Sequence, residues 1–154
     1  MTYRIEGLAP EPFAALFAMG ESELAERNAR RVIADSPSGY PCRVSLRDAA
    51  PGEELLLVNH VSHDVPTPFR TAYAIYVRGG AKPASYVDEA PAYLDSRTLG
   101  LRGFDAEGML RGGLLAMPGE ADATIRELLA RPEVATVHAH NAVVGCFLAR
   151  IERN

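Results

Sequence analysis

The sequence has no tryptophan and no glutamine, and Lys82 is the only lysine among its 16 basic residues. It holds just two cysteines, Cys42 and Cys146, too few for a disulfide framework, so both are expected as free thiols of a reducing compartment. Apolar runs are short. Leu55 to Val58 and Val143 to Ala149 are strand-length or interrupted, far from the roughly 20 residues of a membrane helix. Met1 to Glu6 lacks a basic region leading into an apolar core, so no secretory signal is expected and the cytoplasm is the default location. Runs of one charge are missing too: the net charge is -4 and the signs are interspersed, which argues against a nucleic-acid surface. The near-exclusive use of arginine fits a base-composition bias more simply than a function.

What is present suffices for one core. A chain of 154 residues that is 47% hydrophobic can bury roughly 70% of its unfolded surface, and one domain over residues 1–154 is expected. Pro10-Glu11-Pro12 ahead of Phe13, Leu16 and Phe17 predicts a short helix ended by Gly20, and Ser22 is a plausible N-cap for a second reaching about Arg27. Strands are predicted at Arg31–Ala34, Arg43–Leu46, Glu54–Val61 and Ala72–Val77, the last with Tyr73 and Ile75 on one face and Ala74 and Tyr76 on the other. His63 to Arg70 carries two prolines and reads as a loop. Tyr86–Ser96 reads as a helix interrupted by Pro91, and Leu99–Phe104 and Met109–Met117 as strands about the turn at 105–108. Glu120–Ala130 is the best helix, with Ile125, Leu128 and Leu129 on one face; strands at Val134–His140 and Cys146–Ile151 close the chain. The fold class is α+β, a single compact domain with a largely antiparallel sheet and a few short helices packed on it.

All four histidines fall in two clusters, His60 with His63 and His138 with His140. In a strand, His138 and His140 share a face. A divalent metal held by His138, His140, His60 and His63 is therefore one reading, with Cys42, Cys146 or Asp64 as further donors. The plainer reading is that they are neutral, hydrogen-bonded imidazoles, with Val137 and Ala139 on the opposite face in the core. For Cys146, His140 is a conceivable base across the hairpin, against the plainer reading of both cysteines as small core side chains. Arg43 adjoins Cys42 and could stabilise its thiolate, although neighbouring strand residues face opposite ways; Arg70, which ends the loop that begins at His63, could form an anion pocket with the histidines, while a surface ion pair or loop brace is the simpler role. Gly79-Gly80 and Gly112-Gly113 lack the spacing of a phosphate-binding loop, so no nucleotide cofactor is expected.

Gly39-Tyr40-Pro41-Cys42-Arg43-Val44-Ser45-Leu46, Pro51-Gly52-Glu53-Glu54-Leu55-Leu56-Leu57, Ala74-Ile75-Tyr76-Val77-Arg78 and His138-Ala139-His140-Asn141-Ala142 with Gly145-Cys146 resemble a small, mainly bacterial family called domain of unknown function 1203. The resemblance runs nearly end to end and implies one compact domain without an assigned activity, so it supplies no catalytic roles.

The expectation for function is a polar pocket for a small ligand, built from His60, His138, His140 and Asn141 with Cys42, Cys146, Arg43 and Arg70. Whether the chain is an enzyme stays open. One alternative is a metal-dependent enzyme or a thiol enzyme using Cys146; the other is an interaction module, for which Glu54–Val61 is the suspect strand if it lies at a sheet edge.

Overall fold

The computed structural model describes residues 1–154. In chain order the elements are β1 (Tyr3–Glu6), α1 (Glu11–Phe17), α2 (Glu21–Glu26), β2 (Arg30–Ile33), β3 (Pro41–Cys42), β4 (Arg47–Asp48), β5 (Glu54–His63), β6 (Thr71–Arg78), β7 (Ser85–Val87), α3 (Ala92–Asp95), β8 (Leu99–Phe104), β9 (Leu110–Ala116), α4 (Ala121–Leu129), β10 (Thr136–Asn141) and β11 (Phe147–Arg153). They make two sheets. The first, in the order β7-β1-β11-β10-β8-β9, is antiparallel throughout. The second, β2-β5-β6-β3-β4, is mixed because β3 runs parallel to β6. The fold is α+β, as composition and patterning predict. No helix is long and apolar enough to cross a membrane.

Each sheet builds a core with its own helices. On the first, Val137 and Ala139 of β10 and Leu99 and Leu101 of β8 pack against Ile125, Leu128 and Leu129 of α4. Each such side chain contributes roughly 1.5–3 kcal/mol when fully buried. The Asp95 carboxylate accepts the Ala121 N–H at 3.1 Å, satisfying one of the free donors at the start of α4. On the second sheet, Leu56 and Val58 of β5 and Ile75 and Val77 of β6 share a core with Phe13 of α1 and Leu24 of α2. The opposite face of β6 carries Ala74 and Tyr76, as its alternation predicts.

Several expectations need correction. Arg43–Leu46 is a turn between β3 and β4, closed by the Leu46 N–H on the Cys42 carbonyl at 3.0 Å, with Leu46 at φ 49°. Its alternation is genuine but has another cause: Val44 belongs to the core of the second sheet and Leu46 to that of the first. Tyr86 lies on β7 rather than on a helix, and only Ala92–Asp95, after Pro91, is helical. The second helix is capped from Gly20, one residue before its first turn, so Ser22 lies inside it. β5 is central, flanked by β2 and β6, which removes the edge-strand argument for an interaction module. β5 also extends to His63, which is therefore on a strand and not in the loop; a bulge between Val61 and His63 shifts its register and turns the end of the strand toward the first sheet.

Candidate functional site

The first cluster of interest lies where the end of the second sheet meets the first. The ring of His63 sits 5.0 Å from that of His138 and 4.0 Å from Phe104. His138 and His140 do share a face, with rings stacked at 6.4 Å, and both rest on Phe147. Tyr73 of β6 completes the set at 5.1 Å from His140, and its hydroxyl accepts a hydrogen bond from Arg102 at 2.9 Å. The two histidine clusters of the sequence thus meet through His63 alone. His60 is apart from them, half-buried against Phe13 at 5.9 Å, and burial lowers its pKa.

Burial sets the chemistry of this cluster. His138 is 1% exposed. Removal from water pushes its pKa down to about 3, with His63, His140, Arg150 and Arg102 adding smaller repulsions. His140 goes down to about 4, again through burial, although its bond to a backbone carbonyl partly offsets the shift. Both are neutral imidazoles at neutral pH. His140 Nδ1 pairs with the Gly145 carbonyl and His63 Nε2 with that of Gly108, each at 3.0 Å; since a carbonyl only accepts, each of those nitrogens carries the proton. His138 Nε2 has no hydrogen-bond partner and lies among aromatic rings. No three histidine, cysteine, aspartate or glutamate side chains are arranged to hold one metal ion. The cluster packs its rings between the sheets, and His63, Phe104 and His138 also line a separate cavity of about 230 Å³.

A second constellation lies at the tip of the β10–β11 hairpin. There a cleft of about 270 Å³ opens between the hairpin and the outer face of β5 and β6. Arg43, Arg97, Asn141 and Cys146 form its polar part, and Leu57, Ala74, Tyr76 and Val144 its apolar part. Asn141 shapes the tip: its side-chain oxygen accepts the N–H groups of Val143 (2.9 Å) and Val144 (3.3 Å), and its own N–H donates to the Cys146 carbonyl at 2.9 Å. Gly145 supplies the positive φ of 81° that the turn requires.

Arg43 is the most unusual residue of the cleft. It is 2% exposed, the largest of the fully buried side chains. Nε donates to the Phe147 carbonyl at 2.8 Å and Nη1 to that of Pro41 at 2.6 Å, whereas Nη2 donates to nothing and no carboxylate pairs with the group. Arg97 differs, because Asp48 takes its Nη2 through both carboxylate oxygens at 3.0 and 3.1 Å. The cleft therefore holds one guanidinium that no carboxylate ion-pairs with, its charge met in the fold only by two backbone carbonyls.

The structure separates the remaining candidates. Cys42 is wholly buried, its sulfur accepting the N–H groups of Ser45 and Arg78 at 3.5 and 3.3 Å, and it lies in the second-sheet core. Arg70 is an exposed brace on Asp64 at 3.0 Å. Cys42 and Cys146 are both free thiols. Neither His138 nor His140 lines the cleft, and no hydrogen bond joins His140 to Cys146, so the base imagined for that thiol is engaged elsewhere. Arg97 and Val144 carry no motif, and nothing in the local sequence marks them as neighbours of Arg43.

A protein-family model described as "Protein of unknown function (DUF1203)" matches residues 39–153. Every residue lining the cleft and every member of the histidine cluster lies inside that span, while β1, α1, α2 and β2 lie outside it. No curated protein matches the chain. No solved structure matches it either.

Proposed function

We propose, for a chain that belongs to the DUF1203 family of proteins of unknown function, that the hairpin cleft binds a small anionic ligand. The observation that carries this reading is Arg43: a buried guanidinium facing a cleft, with one nitrogen unused and no carboxylate within salt-bridge distance. Planar donors of this kind match a carboxylate or phosphate edge. Arg97 is neutralised by Asp48, so one net positive charge faces the ligand and a monoanion balances it. Leu57, Ala74 and Val144 offer the ligand an apolar body contact. At roughly 30 Å³ per water, the space equals about nine waters, which suits a metabolite of similar heavy-atom count. Of the residues expected in a polar pocket, this reading keeps Arg43, Asn141 and Cys146 and leaves the histidines to structure. Residues 1–154 acting as one domain in the cytoplasm remain the accompanying expectations.

Isothermal titration calorimetry with benzoate, and with benzamide as its uncharged counterpart, tests the reading. Benzoate is expected to bind and benzamide not. Arg43→Met is expected to abolish binding, and Val144→Trp, which fills the cleft from its rim without touching the buried arginine, is expected to do the same. Equal heats from benzoate and benzamide, or none from benzoate, inorganic phosphate and acetate alike, would overturn it.

A further inference from the structure

We infer that Cys146 is a reaction site for small carboxylates that carry an electrophilic carbon, an inference that rests on the anion reading of the cleft. The thiol and the arginine share one cavity. Arg43 Nε is bonded to the carbonyl of Phe147, the residue next to Cys146, which fixes the guanidinium one residue from the thiol. Its unused Nη2 and uncompensated charge attract an anion to this spot. The hairpin tip that presents Cys146 is held by four hydrogen bonds from or to Asn141, so the sulfur is carried on a defined turn. Cys146 is half-buried and reachable, whereas Cys42 is 0% exposed and its sulfur already accepts two N–H groups. One thiol of the two can therefore react in the folded protein.

The step is a substitution. The thiolate sulfur attacks the electrophilic carbon, an S–C bond forms, the bond from carbon to its leaving group breaks, and that group departs with the electron pair. No side chain is hydrogen-bonded to the sulfur, so the thiol proton passes to water. Nothing is oxidised or reduced. The carboxylate meets Arg43 while its short body lies toward Leu57 and Val144.

Iodoacetate and iodoacetamide deliver the same alkylation with and without a negative charge, so their rate ratio reads the effect of Arg43 directly. Alkylation of the native protein is followed by peptide mass spectrometry, with free cysteine in the same buffer as reference. The ratio of iodoacetate to iodoacetamide rates at Cys146 is expected to exceed that of free cysteine by about tenfold or more, with Cys42 unlabelled. Benzoate is expected to slow the iodoacetate reaction, and Arg43→Met to return the ratio to the reference value. Should that variant not fold, Val144→Trp is expected to suppress labelling by both reagents. A ratio at or below that of free cysteine overturns the inference: together with calorimetric benzoate binding it leaves the anion cleft standing, and without such binding the cleft reading falls as well.

Discussion

Arg43 donates from Nε to the backbone carbonyl of Phe147 at 2.8 Å, joining residues 104 apart in sequence. One bond thus ties the turn of the second sheet to the first residue of β11 in the first, and it sets the charge of the cleft beside Cys146. The same side chain serves structure and site, which shapes what its replacement should do.

Arg43→Met leaves the carbonyls of Pro41 and Phe147 without their donor, at about 1–3 kcal/mol each. Removal of an uncompensated buried charge offsets part of that loss. The expected net effect is a destabilisation of about 1–3 kcal/mol in urea denaturation, together with loss of any stabilisation by benzoate. A variant as stable as the wild type and still stabilised by benzoate contradicts the role given to Arg43.

Acid should weaken the fold through the histidine cluster. Folded His138 and His140 titrate near 3 and 4, below the ordinary value of 6.5, so the unfolded chain binds more protons between those limits. Their contribution is intact above about pH 6.5 and is lost as pH falls toward 4 and then 3. By pH 5 each accounts for roughly 2 kcal/mol of lost stability at about 1.4 kcal/mol per unit. Urea midpoints from pH 8 to pH 5 should fall in the wild type and fall about half as far in His138→Phe, where His140 still titrates. Because His138 Nε2 has no partner, Phe should cost little at pH 8, whereas His138→Ala, which leaves a cavity, should cost about 2–4 kcal/mol.

Gly7 has no room for a side chain. A Cβ there would lie 1.8 Å from the Val44 carbonyl oxygen, backbone that cannot swing aside, in the turn that carries Arg43. Gly7→Ala is expected to lower stability by about 3 kcal/mol or more and to weaken benzoate binding, both measurable by thermal denaturation with and without ligand. Wild-type behaviour would contradict the packing of the turn against β1.

Asn141→Ala removes the acceptor for two N–H groups of the hairpin tip. The expected cost is about 1–2 kcal/mol, seen as faster amide exchange at Val143 and Val144 with β8 unaffected. Unchanged exchange at the tip would mean that Gly145 and the backbone bonds of residue 141 set the turn without the side chain.

Zinc should find no three-ligand histidine site, since no such group of side chains converges. Equilibration with zinc followed by gel filtration is expected to leave less than stoichiometric metal, with no difference between wild type and His140→Ala. Stoichiometric metal lost in that variant would restore the metal reading.

Much of this protein was legible in its sequence because periodicity reports local burial. Ile125, Leu128 and Leu129 mark the buried face of α4, Val137 and Ala139 mark the core side of β10, and the alternation in β6 separates Ile75 from Tyr76. The pairing of His138 with His140 follows from the same two-residue period. Alternation misled at Arg43–Leu46, where two cores on either side of a turn imitate a strand, and the prolines after His63 misled about that residue, which a bulge keeps on β5. The cleft depends on contacts that local sequence does not encode. Whether Arg43 has a carboxylate partner, whether Arg97 spends its charge on Asp48, and whether Cys146 rather than Cys42 faces open space are settled by how the two sheets dock. The sequence determined which residues could bear charge or react; only the tertiary structure decided which of them stand together, because long-range packing, and not spacing along the chain, fixes burial and charge balance.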